Sequence, residues 1–228
     1  MDVEILRDET SLAKRAAAVI AAEARAAVAA RGRFVMAVSG GKSPWVMLAD
    51  LADEDVPWPN VHVFQIDERI APAGDPDRNY VHLRDSLLQH APIPERQIYA
   101  MPVEEADSEA AAKQYAQTLE SVAGKPPVLD LAHLGLGPDG HTASLIPGDP
   151  VLNVTDRDIA ITGVYQGRNR MTMTYPVINR ARKILWLVSG KDKIDSFPKL
   201  RAGDTSIPGG RISRRQALLL ADRDAAGE

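Results

Sequence analysis

Four apolar-dominated runs in this chain stop at loops of small or polar residues, and this constrains the fold more than any other feature. Phe34–Val38 ends at Ser39-Gly40-Gly41, Val61–Ile66 at Asp67-Glu68-Arg69, Val128–Leu136 at a glycine-rich turn, and Lys183–Val188 at Ser189-Gly190. Runs of this length bounded by turn residues read as buried strands. Helical stretches separate them. Ser11–Arg31 is alanine-rich, places Leu12, Ala16, Val19 and Ile20 near one face, and has Gly32 where a C-terminal cap belongs. Pro44 can open a helix over Trp45–Leu51, and Tyr80–Gln89, Ser108–Val122 and Lys191–Leu200 also read as helical. Ile159–Val164, Met171–Tyr175 and Ala217–Leu220 complete the strands, with Ile70–Asn79 a proline- and glycine-bearing loop. Strands alternating with helices predict a mainly parallel sheet covered on both faces, a three-layer α/β/α sandwich. No linker or repeat divides the chain, so residues 1–228 read as one domain.

Ligands of open α/β sheets bind outside the carboxyl ends of the strands. The four loops are therefore expected to converge. The sharpest is Gly135–Gly148, GLGPDGHTASLIPG, which sets Asp139 and His141 on one turn. Imidazole is the side chain best matched to proton transfer near neutral pH. Ser39–Pro44, SGGKSP, offers the backbone N–H groups of Gly40, Gly41, Lys42 and Ser43 at a helix start, which is an anion cradle. Asp67-Glu68-Arg69 reads either as ion pairs on a solvated turn or as groups that orient a sugar and its phosphate. Arg170 and Lys193, each beside a strand end, supply the cations an oxyanion needs.

Several classes are disfavoured. The chain has no cysteine, so disulfides, thiolate metal sites and a cysteine nucleophile are excluded. It has no HExxH, no GxSxG and no GxxxxGK[ST], and the SGGKSP loop is not a GxGxxG, which weakens a dinucleotide reading, so no metal or other cofactor is expected. A net charge of −4 gives no general attraction to nucleic acid. No apolar stretch is long enough to span a membrane, and MDVEILRDET is not a signal peptide, so a cytoplasmic protein is expected. What remains suits proton transfer on a small phosphorylated metabolite, by a monomer or small homo-oligomer.

The segments VSGGKSP, QIDERIAP with Asp75–Asn79, HLGLGPDGHTASLIPG, RMTMTYPVINRA and LVSGKDK resemble the 6-phosphogluconolactonase family, in the family's order, from Val38 to Lys193. The resemblance implies the Rossmann-like sandwich shared with glucosamine-6-phosphate deaminases. It also implies hydrolysis of 6-phospho-D-glucono-1,5-lactone in the pentose phosphate pathway. It places the general base on His141 and the phosphate against Ser39–Ser43, with Arg170 and Lys193 supplying charge. Asp67 orients groups in the site, and Asp139 either does the same or holds the turn. Arg69 reaches either phosphate or sugar. Lys191 departs from the family's Gly-x-x-Lys spacing and leaves two candidate lysines. The related deaminases carry a carboxylate five residues after the histidine, where this chain has Ile146. A sugar-phosphate sensor is the third reading, disfavoured because no basic or helix-turn-helix extension precedes the first helix.

Overall fold

In the computed structural model, which describes residues Met1–Glu228, the apolar runs build one seven-stranded, all-parallel sheet. In chain order the elements are β1 (Asp2–Leu6), α1 (Glu9–Arg31), β2 (Phe34–Val38), α2 (Lys42–Ala52), β3 (Val61–Gln65), β4 (Asp67–Arg69), α3 (Asn79–Leu83), β5 (Ile98–Tyr99) and α4 (Ser108–Ala123). They continue with β6 (Leu131–Leu134), β7 (Ile159–Ile161), β8 (Arg170–Met173), α5 (Tyr175–Arg180), β9 (Lys183–Val188), α6 (Phe197–Ala202), β10 (Ala217–Asp222) and α7 (Arg223–Ala226). The large sheet has the order β1-β10-β9-β6-β2-β3-β5.

Burial on both faces explains why the strands read as continuous apolar runs. Successive side chains point to opposite faces. Phe34, Met36 and Val38 of β2 join Leu185 and Leu187 of β9 in one cluster, against α1 and α2. Val35 and Ala37, with Ile184, Trp186 and Val188, join the cluster packed by α4 to α7. Asp8 caps α1 by accepting from the Ser11 N–H, and Gly32 ends it at φ 74. The cap starts the helix two residues before Ser11, the expected first residue.

Strand β2 leads through α2 to β3 on one side, while β6 leads toward β9 and β10 on the other. The crevice between the carboxyl ends of β2 and β6 is therefore the topological switch point, where ligands of such sheets bind.

Proline decides two helix starts. Pro44 lies in the first turn of α2, which begins at Lys42 rather than Trp45. Pro198 likewise sits in the first turn of α6. A proline inside a helix removes a hydrogen bond and clashes with the preceding turn. The helix expected over Lys191–Leu200 is thus a short turn at Lys191–Lys193 followed by α6 from Phe197.

A second sheet was not expected. Asp67–Arg69, read as a loop, is strand β4, and the segment around Met171 pairs with it antiparallel rather than joining the parallel sheet. With β7 they form a three-stranded sheet, β4-β8-β7. Ile66, between β3 and β4, ties the sheets together: its N–H donates to Val38 and its carbonyl accepts from Met173. The edge strands β1 and β5 were also unforeseen; β1 is at most half-buried and β5 has only two residues.

Candidate active site

The carboxyl ends of β2 and β6 open into a cavity of about 500 Å³. Its lining includes all the residues expected to converge except Asp139: Ser39, Gly40, Gly41, Lys42, Ser43, Asp67, Arg69, His141, Arg170 and Lys193. Asp139 touches the site through His141.

The Asp-Gly-His turn is held by its own backbone. The Gly137 N–H donates to the His141 carbonyl and the Gly140 N–H to the Gly137 carbonyl. Gly140 has φ 83, and a Cβ there would meet the Ile207 side chain at 2.5 Å. The tight fold brings Asp139 Oδ1 to 2.6 Å from His141 Nδ1, and the same oxygen accepts from the His141 backbone N–H at 3.1 Å. A carboxylate against Nδ1 fixes the proton there and leaves Nε2 as the free base. Burial pushes the Asp139 carboxyl up, but the His141 N–H, the imidazole charge and the Tyr165 hydroxyl outweigh it, so the group lies below its ordinary value. Asp139 thus contacts both the backbone of the turn and the imidazole ring.

Ser39–Ser43, the expected anion cradle, lines the cavity and leads into α2. Gly41 precedes α2 at φ 130 and no side chain caps the helix. The first-turn N–H groups of Lys42 and Ser43 consequently have no carbonyl a turn earlier to bond. Gly40 is needed for another reason: a Cβ there would overlap the Asn79 carboxamide and approach Trp45 Cη2 to 2.9 Å. The Ser43 hydroxyl donates to Glu9 Oε1 at 2.7 Å. That hydroxyl is thus already engaged, which leaves the main-chain N–H as the donor without a protein partner.

Opposite the turn, Arg69 and Arg170 are direct cross-strand partners. Like charges placed directly opposite destabilise a strand pair. Arg170 is also 5% exposed, and its Nε has no hydrogen-bond partner. Desolvation lowers its pKa, with Asp67 opposing and Arg69 adding to the decrease. A buried arginine with an orphaned donor, facing a half-buried one, is an arrangement that an anion would complete. Arg69 is aimed by Asn79 Oδ1 and the Asp77 carbonyl, both of which accept from its Nη1.

Of the two lysines, Lys193 lines the cavity, with its side chain 17% exposed and its Nζ 2.6 Å from Asp192. Lys191 is 77% exposed and points toward Asp224. Ile146 is buried and does not line the cavity.

Two buried residues hold the acidic segment: Ser144, which sequence reasoning passed over, and Glu68, read there as part of a solvated or substrate-facing cluster. Ser144 Oγ donates to Asp67 Oδ2 at 2.6 Å, joining the histidine loop to β4. Glu68 is fully buried and accepts from the N–H groups of Arg69, Asn79 and Tyr80, so it secures the start of α3 and does not face the cavity. Neither fact has a signal in spacing, because both depend on pairing between β4 and distant segments.

A family model described as glucosamine-6-phosphate isomerases/6-phosphogluconolactonase matches residues 7–220. A 6-phosphogluconolactonase of Synechocystis sp. is 40% identical over 195 residues, 84% of this chain and 81% of the relative. The chain belongs to the 6-phosphogluconolactonase family. A second family member, from Nostoc sp., is 36% identical over 231 residues, covering 98% of this chain and 95% of its own. The solved structure of the 6-phosphogluconolactonase from Trypanosoma brucei is 25% identical, covers 99% of this chain and 97% of its own, and superposes with a TM-score of 0.87. No helix is long and apolar enough to cross a membrane.

Proposed function

We propose that this family member hydrolyses 6-phospho-D-glucono-1,5-lactone to 6-phospho-D-gluconate, a step of the pentose phosphate pathway, with His141 as general base. The observation that carries the reading is the pairing of a carboxylate-oriented histidine with two cross-strand arginines around one cavity. The lactone phosphate lies against Gly40–Ser43, Arg170 and Lys193. The ring carbonyl then lies toward His141. Nε2 removes a proton from water as the water oxygen bonds to the carbonyl carbon. Main-chain N–H groups of the glycine turns stabilise the tetrahedral oxyanion. On collapse, the carbon–ring oxygen bond breaks and the imidazolium returns its proton to that oxygen. Asp139 stabilises the imidazolium between the two transfers, and Asp67, held by Ser144, orients sugar hydroxyls.

Ring-opening deamination is disfavoured, because Ile146 brings no carboxylate to the position the deaminases use. The test is stopped-flow hydrolysis of freshly made lactone, with the spontaneous reaction subtracted, beside ammonia release from glucosamine 6-phosphate. Enzyme-dependent lactone opening without ammonia supports the reading. Ammonia released at a rate rivalling lactone opening would overturn it.

A further inference from the structure

Between β7 and β8 the chain makes a hairpin whose tip reaches the catalytic turn. Tyr165 and Arg168 exchange main-chain hydrogen bonds, and the two residues between them, Gln166 and Gly167, have φ of 52 and 80. Positive φ at both central residues defines a tight hairpin turn whose twist matches its flanking strands. The tip is tied down on one side, where Arg168 donates to Asp75 Oδ2 at 2.9 Å and to Asp77 Oδ2 at 3.1 Å. On the other side it meets the site through Tyr165. The Tyr165 hydroxyl donates to Asp139 Oδ2 at 3.3 Å. Its ring packs edge-on to the His141 imidazole, with centroids 5.5 Å apart at 65°. The Arg170 guanidinium lies 5.0 Å from the centroid of the same ring.

We propose that Tyr165 is a positioning residue of this site, holding the Asp139–His141 pair through its hydroxyl and Arg170 through its ring. This rests on His141 as the base. The two Asp139 oxygens then have different tasks. Oδ1 orients the imidazole, while Oδ2 is held by a residue from the opposite wall, so the carboxylate cannot rotate away. The hydroxyl also turns its positive end toward the carboxylate, which tempers the negative potential at the imidazole. The other charged groups around the cavity are Glu9, Lys42, Asp67, Arg69, Arg170, Asp192 and Lys193, and replacing Tyr165 by Phe alters none of them.

Tyr165→Phe removes the hydroxyl and keeps the ring. With the tempering dipole gone, His141 should bind its proton roughly threefold more tightly, about half a pH unit. Because the base must be neutral, the acid limb of the kcat/KM profile moves up by the same amount. The maximal kcat should fall about three- to tenfold as the carboxylate loosens. The KM should stay near wild type, because the ring still supports Arg170. Tyr165→Leu removes both contacts, so its KM should rise as well.

The deciding experiment is an NMR titration of the His141 imidazole in wild type and Tyr165→Phe, beside pH profiles of lactone hydrolysis for both variants. A raised His141 pKa with a matching shift of the acid limb supports the proposal. An unchanged titration and profile in Tyr165→Phe overturn it. If the wild type does not turn over the lactone, the functional reading fails. The titration alone then decides: a raised His141 pKa supports the positioning role, and an unchanged one overturns it.

Discussion

At the carboxyl edge of the seven-stranded sheet, β2 and β6 supply mostly main chain: the N–H groups before and within α2, and a glycine turn that presents one imidazole. Across the cavity, the three-stranded sheet supplies side chains, namely Asp67, Arg69 and Arg170. The large sheet can do this because its strands are buried on both faces and fix the backbone at the switch point. The small sheet has strands of three or four residues and is held by polar contacts such as Ser144 to Asp67. Under the proposed function this is a division of labour in which the turn after β6 carries the reacting group, while Arg69 and Arg170 of the small sheet join the N–H groups after β2 and Lys193 after β9 in recognising the charged end of the substrate.

The largest expected effect breaks the first half of that division. His141→Asn should lower kcat/KM by ~100- to 10,000-fold, the usual contribution of a general base, with the fold intact by circular dichroism. Near-normal turnover in the folded variant would remove His141 from the mechanism.

Next comes the turn itself. A Cβ at Gly137 would overlap Nδ1 and Cε1 of His141, whereas one at Gly135 meets nothing within 4 Å. Gly137→Ala should therefore cost about 100-fold in kcat through misplacement of the imidazole, and Gly135→Ala should stay close to wild type. Similar rates for the two variants would mean that the turn geometry is not what sets the imidazole.

The second half of the division is tested by Arg170→Ala and Lys193→Ala. A hydrogen bond to a charged group contributes roughly 1.5–3 kcal/mol, so each change should weaken binding of 6-phosphogluconate by about tenfold or more in calorimetry. Lys191→Ala, which alters a lysine outside the cavity, should bind as the wild type does. Equal losses in all three would reflect net charge rather than a site.

The smallest effect separates stability from function within the large sheet. His133 on β6 is fully buried, and burial pushes its imidazole from 6.5 down to about 4. The unfolded chain takes up this proton at a higher pH than the folded one. The stabilisation is therefore complete above pH 6.5 and is lost as pH falls through about 4. In urea unfolding, the stability advantage of wild type over His133→Phe should shrink by roughly 3 kcal/mol between neutral pH and the acid end of that window. A constant difference would show that His133 does not titrate in this way.

The two sheets also differ in how legible they are. Phe34–Val38 and Lys183–Val188 were assigned with their final boundaries, because burial on both faces leaves an apolar run with no polar interruption. The cradle and the Asp-Gly-His turn were legible for a related reason: glycines cluster where backbone must bend tightly or pack closely. Asp67-Glu68-Arg69 looked like a loop because its strand is three polar residues whose partner lies about a hundred positions away. Arg170 was assigned to the site from its place beside a strand end. Its burial and its pairing with Arg69 emerge only from antiparallel register. Glu68 and Ser144 are buried polar residues whose partners come from other segments, so no local pattern marks them. Tyr165 falls in the same class, since its contacts arise from a hairpin folding back over a turn.

The measurement that bears most directly on the division of labour compares 6-phosphogluconolactone with gluconolactone, which keeps the reacting ester and lacks the phosphate, in wild type and in His141→Asn. Losing two hydrogen bonds to a charged group corresponds to at least ~3 kcal/mol, so wild type should prefer the phosphorylated lactone by ~100-fold or more in kcat/KM. His141→Asn should depress both activities by a similar factor and leave that preference largely intact, because the proposed phosphate contacts do not include the imidazole. A wild-type preference near unity, or a preference that collapses with His141, would contradict the separation of the reacting group from the recognition of charge.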